Sequence, residues 1–218
     1  MSDKKSSDTT APTAGSVLLA AVLLKMGTYG LVRLPVASVP DGFARLAPVL
    51  AVLGVVGILW GGLVCLVERD LKRLIAYSSV AHMGFVVLAL AAGSETGLQA
   101  ALFANIAHGV ISALLFFLVG GLKQRWGGVD LTVARPALRE TSPRLGFLLV
   151  LGLAASLGLP GLAGFWGEFF AVYAAWLPDK SVSFTGHATD LYRARRALKD
   201  KIRRASFIVC ISEFHRQF

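Results

Sequence analysis

The sequence predicts an all-α, polytopic membrane protein, a bundle of about five transmembrane helices with the last one broken at Pro160. Three observations carry this. Of 218 residues, 55% are hydrophobic and only 16% charged, where an average soluble domain carries about 25% charged residues. Five stretches, near residues 14–34, 47–67, 74–93, 98–122 and 145–177, are apolar and long enough to cross roughly 30 Å of hydrocarbon. The fifth holds LGLPGLAGFWGEFF, in which Pro160 removes an intrahelical hydrogen bond and Gly158, Gly161 and Gly164 loosen the backbone.

Taken in order, residues 1–13 form a polar N-terminal segment, and MSDKKSSDTT within it lacks the apolar core of a signal peptide. The first span contains Lys25 in its middle and Arg33 at its end, and the second has no charge at all. The third and fourth carry no Asp, Glu, Lys or Arg, and the fifth contains only Glu168. Backbone breaks at membrane depth are tolerated where neighbouring helices or internal water satisfy the freed groups, so the fifth span belongs inside the bundle. Domain bounds follow: the polar segment 1–13, a transmembrane domain over 14–178, and a basic tail over 179–218.

Charge separates these parts. The net charge is +9, but residues 179–218 contain nine Lys or Arg and four Asp or Glu, which leaves only +4 for everything before them. A concentration of charge in a short tail is not a nucleic-acid footprint, and no nucleic-acid partner is expected. Lys4, Lys5, Arg69, Lys72, Arg73, Lys123, Arg125, Arg135, Arg139 and Arg144 fall on one side of the expected bundle and Arg33 and Arg45 on the other. The first side is expected to be cytoplasmic. Cys65 and Cys210 stand without a CxxC or ligand spacing, so a disulfide scaffold, a zinc site and an iron–sulfur cluster are unsupported, and no metal is expected.

Ionisable residues inside a membrane are expensive and mark ion paths by default. Lys25 lies about 16 Å into its span, His82 about 12 Å into the third and His108 about 15 Å into the fourth, at 1.5 Å per residue. Glu168 falls just past the Pro160 break, near the start of a second half-helix whose dipole favours a carboxylate. Four ionisable groups on four spans thus share one depth. Histidine exchanges a proton near neutral pH, and burial penalises the charged forms of lysine and glutamate. The row therefore suits proton relay, with water completing the path. Sodium coordination suits it less, for want of oxygen ligands. Each histidine also admits a plainer role, bonded neutral to a carbonyl or to Ser78, Ser79, Asn105 or Ser112. No residue points to catalysis on a substrate.

The strings AGSVLLAAVLLKMGTYGLVRL, ERDLKRLIAYSSVAHMGF, ANIAHGVISALLFF and ASLGLPGLAGFWGEFF resemble, in order, segments of the antiporter-like, proton-translocating membrane subunits of bacterial respiratory complex I, the NADH:quinone oxidoreductase. The chain M branch is the most similar. The resemblance runs over about residues 11–180 and implies a fourteen-helix plan of two inverted repeats, each with a broken helix. Within that plan these strings correspond to the eighth to twelfth helices, so the first broken helix, its lysine and the glutamate paired with it are not represented. Lys25 resembles the lysine linking two half-channels, His82 and His108 the relay histidines, and Glu168 the carboxylate of the second broken helix. Related subunits and multisubunit sodium/proton antiporters typically carry lysine at this last position.

The resemblance implies proton translocation in the membrane arm of the enzyme, as a subunit without a redox centre or active site of its own. No cofactor is expected in this chain; NADH, FMN, iron–sulfur clusters and quinone belong to partner subunits. Its partners would be the other membrane-arm subunits, the lipid bilayer and an internal water chain, in a bacterial inner (plasma) membrane that it crosses several times. Alternatives are a subunit of a multisubunit Na+/H+ antiporter, or a non-functional chimeric fragment. The last arises because SFTGHATDLYRARRALKDKIRRASFIVCISEFHRQF resembles a strip of family-4-like retaining glycosyltransferases, in which His187 would be an acceptor-side remnant. A basic amphipathic helix lying on a membrane and a frame-shifted translation are the other readings of that tail.

Overall fold

The computed structural model describes residues 13–36, 38–134 and 137–176, together with the backbone of residues 181–185 and 205–210. Most of the polar N-terminal segment, His187 and most of the basic tail lie outside the described residues.

The first span is one helical rod of alternating winding: α1 (Thr13–Val17), a π-helical stretch (Leu18–Leu23), α2 (Leu24–Leu31) and a second π stretch (Val32–Val36). Then follow α3 (Pro40–Val67), α4 (Leu71–Ala91), α5 (Glu95–Trp126), the single turn α6 (Leu138–Thr141), α7 (Pro143–Ser156) and α8 (Ala163–Trp176). The caps explain the boundaries. The Asp70 side chain accepts from the Arg73 N–H at 3.0 Å and so opens α4, and the Ser94 hydroxyl does the same for Gly97 N–H at 3.0 Å to open α5. Gly127, at φ 72°, ends α5 in the left-handed conformation, with Lys123 and Arg125 in its last turn where the helix dipole favours cations.

Two boundaries differ from the expected spans. α3 begins at Pro40 rather than near residue 47, because Pro40 sits at the helix start and Asp41 in its first turn, while Pro48 lies inside the helix. α5 runs on to Trp126, so its last turns carry the basic residues out of the hydrocarbon. The fifth crossing is divided: α7 and α8 have 14 residues each, about 21 Å apiece and too short to span alone.

Packing is set by small residues, as expected where lipid is as apolar as leucine and close approach supplies the attraction. A Cβ on Gly84 of α4 would lie 2.6 Å from the Gly54 carbonyl of α3, and one on Gly61 would lie 2.9 Å from the Ala81 N–H. A Cβ on Gly167 of α8 would meet Ala104 of α5 at 2.7 Å. These contacts seat α4, α5 and α8 around a core of Met83, Val86, Ala89, Ala100, Ala104, Phe170 and Ala171. A second core, Val17, Ala20, Ile75, Leu115, Phe116 and Val119, joins the first span to α4 and α5. The outer faces carry Leu53, Leu59, Trp60, Leu63, Ile106 and Phe117, all exposed, as suits contact with lipid.

On the side with most basic residues, Leu71 N–H donates to Val129 O at 3.1 Å and Leu131 N–H to Arg69 O at 2.8 Å, pinning the α5–α6 connection to the start of α4. The described helices bear out the all-α class through Trp176. Beyond it β1 (Ser181–Thr185) and β2 (Ala205–Cys210) pair in parallel. A parallel pair requires a crossover of a dozen or more residues, and the chain between Thr185 and Ala205 is long enough for one. Over 205–210 the tail is therefore strand rather than amphipathic helix, consistent with the β-branched and aromatic run ASFIVC.

Candidate functional site

The break between α7 and α8 is built from the sequence LGLPGL. Gly158 and Gly161 take φ of 66° and 96°, which side chains with a Cβ rarely adopt. The Gly158 N–H donates to Ala155 O and the Leu159 N–H to Ala154 O, both at 3.3 Å, while Leu162 N–H donates to Leu159 O at 3.0 Å. Backbone groups of the interrupted ladder are thereby satisfied locally. Gly164 allows α8 to start directly against the Ala155 carbonyl, a position a Cβ would overlap.

Glu168 lies in the second turn of α8, and its side chain leans toward the helix N-terminus, as helical side chains do. A Cβ on Gly158 would stand 2.8 Å from Glu168 Oε2, so the missing side chain there makes room for the carboxylate. Glu168 Oε1 is 2.7 Å from His82 Nδ1 on α4, and His82 Nε2 is 3.1 Å from Ser156 Oγ at the end of α7. The pair is largely shielded, with side-chain exposures of 16% for His82 and 24% for Glu168.

His108 stands on α5, its ring centre 5.1 Å from that of His82 at an interplanar angle of 50°. His108 is buried. Its Nδ1 is 2.7 Å from Lys25 Nζ, which also donates to the Ala20 carbonyl at 2.5 Å. Ala20 belongs to the first π stretch, and π segments recur where a helix must re-aim a side chain at a site. The lysine stem passes beside Gly109, where a Cβ would stand in ordinary contact, 3.6 Å from Lys25 Cε. The Thr28 hydroxyl donates to the Lys25 carbonyl at 3.0 Å, holding the next turn.

The four residues that depth alone singles out thus form one row, Lys25–His108–His82–Glu168, drawn from the first span, α5, α4 and α8. A cavity of about 20 Å³ lies among His82, His108, Ser156, Glu168, Ala155 and Gly164, and roughly 10–15 Å³ measured this way accommodates a water. The serines available as plain histidine partners are engaged elsewhere: Ser78 and Ser79 donate to the Ile75 carbonyl at 2.9 and 3.1 Å, and Ser112 donates to Gly109 O at 3.2 Å. Asn105, one turn before His108, keeps a buried Oδ1 without a partner among the described residues. Ser156 is not among the residues that the sequence singles out. Its only sequence signal is its place, two residues ahead of Gly158 in the break motif.

No group of three or more His, Cys, Asp or Glu arranged to hold a metal occurs among the described residues. Arg73 and Glu68 form an ion pair at 3.2 Å, well away from the row at the start of α4.

Comparison with known proteins places this architecture. The family described as NADH:quinone oxidoreductase/Mrp antiporter, TM, matches residues 6–185. The chain is 43% identical over 166 residues to NADH-quinone oxidoreductase subunit M of Pseudomonas aeruginosa, covering 76% of this chain and 32% of that protein. It is 48% identical over 162 residues to NAD(P)H-quinone oxidoreductase chain 4 1 of a Synechococcus species, covering 74% of this chain and 30% of that one. Among solved structures, a chain of respiratory complex I from Thermus thermophilus superposes with a TM-score of 0.70 at 32% identity, over 76% of this chain and 35% of its own length. The chain thus spans about a third of the length of the curated relatives it matches. From the ordered motifs, the broken helix and these likenesses together, the chain belongs to the NADH:quinone oxidoreductase/Mrp antiporter transmembrane family.

Proposed function

We propose that this chain is part of a proton-translocating subunit of the membrane arm of NADH:quinone oxidoreductase, the subunit called M or chain 4 in its relatives. The observation that carries the reading is the row of protonatable side chains through the bundle interior, with 2.7 Å contacts at both ends and the two imidazole ring centres 5.1 Å apart between them. In this reading residues 14–178 form the transmembrane unit and residues 179–218 a separate basic tail. The membrane is the bacterial inner membrane, and the driving energy comes from electron transfer in other subunits.

The chemistry of the row suits proton passage. An imidazole accepts a proton on one nitrogen and releases it from the other. His108 meets Lys25 through Nδ1, which leaves Nε2 as its second exchangeable site. His82 meets Glu168 through Nδ1 and Ser156 through Nε2. The cavity shared by the two rings has room for a water to connect the two halves. A proton passed from Lys25 to His108 Nδ1 releases the Nε2 proton of His108 through that water to His82 Nε2, and His82 gives its Nδ1 proton to Glu168. That leaves Lys25 neutral, Glu168 protonated and both rings in the opposite tautomer until the next proton resets them. The NADH, FMN, iron–sulfur and quinone chemistry resides in partner subunits.

The family also includes Mrp antiporters, and a cation/proton exchanger is the second reading. The row supports it less. A sodium site takes several oxygen ligands, whereas the row offers one carboxylate and three nitrogen bases. The decisive experiment replaces Lys25→Ala or Glu168→Gln in a full-length subunit carrying this row and follows proton uptake into inverted membrane vesicles during NADH oxidation. Loss of uptake is expected in both variants; full uptake in both would remove the role assignment. Uptake that depends on sodium would favour the exchanger.

A further inference from the structure

We propose that Ser156 is a positioning residue of the row: its hydroxyl donates to Nε2 of the His82 ring and holds that ring with its Nδ1–H facing Glu168. The inference takes its functional meaning from the relay reading above, but its structural content is independent of it.

The ring has two hydrogen-bond partners among the described residues, Glu168 Oε1 at 2.7 Å and Ser156 Oγ at 3.1 Å. An ionised carboxylate only accepts, so the nitrogen facing it carries the proton. In the neutral ring Nε2 is then an acceptor and needs a donor. The Ser156 hydroxyl can supply that hydrogen. The other hydroxyls close to the row are committed to backbone carbonyls, those of Ser78 and Ser79 to Ile75 and that of Ser112 to Gly109.

A hydroxyl also suits the second state of the ring. When His82 gains a proton on Nε2, the same oxygen turns from donor to acceptor and its hydrogen is freed toward the cavity it shares with His108. Neither an amide nitrogen nor a carbonyl can make that exchange. Ser156 is held for this work by the break: it is the last residue of α7, followed by the Leu157 N–H bond to Leu153 O at 2.8 Å and the Gly158 N–H bond to Ala155 O. The position of its hydroxyl is thus fixed by the same turns that place Glu168.

The titratable groups around His82 are Glu168 from α8 and His108 from α5, with Lys25 behind His108. α7 presents Ser156, and α3 has no ionisable side chain between Arg45 and Cys65. The test is ¹⁵N NMR of histidine-labelled full chain in phospholipid nanodiscs, at a pH where His82 is neutral. The wild type is expected to show His82 as the Nδ1–H tautomer, with an Nε2 resonance shifted upfield by an accepted hydrogen bond. Ser156→Ala should lose that shift while the Nδ1–H tautomer set by Glu168 persists, Ser156→Thr should restore the shift, and the His108 signals should stay in place. An Nε2–H tautomer in the wild type, or a His82 spectrum unchanged in Ser156→Ala, overturns the proposal. If Ser156→Ala also disturbs His108, the threonine variant decides: an upfield Nε2 shift kept by threonine supports the assignment, and its loss overturns it. A subunit that pumps fully with Glu168→Gln would sink the relay reading and leave this tautomer result standing.

Discussion

The two ends of the row make contacts of the same length between different chemical partners. At one end His82 and Glu168 are a base and an acid 2.7 Å apart. At the other, Lys25 and His108 are two bases 2.7 Å apart. The acid–base pair tolerates a proton on either partner, and full charge separation is stabilised by the opposite charges. The two bases can hold their bond with one shared proton only: a second one puts like charges in contact inside the membrane, where they are poorly screened. Their supports differ as well. Glu168 and His82 are fixed from three elements by the α7–α8 break, whereas Lys25 is tied to a carbonyl of its own π-wound span. The row thus has an acid–base end at Glu168 and a base–base end at Lys25. The row is polarised by composition alone.

Removing either end tests this polarity most severely. Lys25→Ala and Glu168→Gln should each lower proton translocation by about a hundredfold or more, the scale of losing a positioned proton-transfer group, with redox activity measured alongside. His108→Ala should match them, since it severs the side-chain link from Lys25 to the rest of the row. An intermediate effect is expected at the break. Gly158→Val imposes a Cβ at φ 66° and crowds Glu168 Oε2; strain of about 1–2 kcal/mol should appear as a lower unfolding temperature together with a shifted carboxyl band of Glu168 in infrared difference spectra. Gly84→Leu should separate stability from chemistry. It drives side-chain atoms into the Gly54 backbone of α3 at a cost of about 1–3 kcal/mol, seen as loss of thermal stability in detergent, while the His82–Glu168 signature persists in the folded fraction. Smallest of all, Ile106→Leu on the exposed side of α5 should alter stability by less than about 0.5 kcal/mol and leave translocation intact.

Much of the row is legible in the amino-acid sequence. Lys25, His82, His108 and Glu168 stand out because charge is rare in apolar spans, and their common depth follows from counting about 1.5 Å per residue. The break is readable too, since Pro160 with Gly158, Gly161 and Gly164 cannot continue a ladder. Depth is one coordinate, though, and contact needs the rotational phase of each helix as well. That phase decides that His82 pairs with Glu168 and Ser156 rather than with Ser78 or Ser79 on its own helix, and that Lys25 reaches His108. The start of α3 at Pro40 is hidden for another reason: Pro40, Asp41 and Arg45 look like a loop to a hydropathy window, yet proline and an acid suit the first turn of a helix.

By itself, then, the sequence determined the membrane crossings, the position of the break and which four side chains carry protonatable groups at mid-depth. Those follow from local properties: apolar length, missing backbone donors and the cost of charge in hydrocarbon. Tertiary structure alone decided the pairing, the π winding that sets Lys25 against Ala20 and His108, and the place of Ser156 beside His82. These depend on how Gly54, Gly84 and Gly167 let the helices approach, and such interhelical distances are sums over whole packed surfaces rather than properties of any one segment.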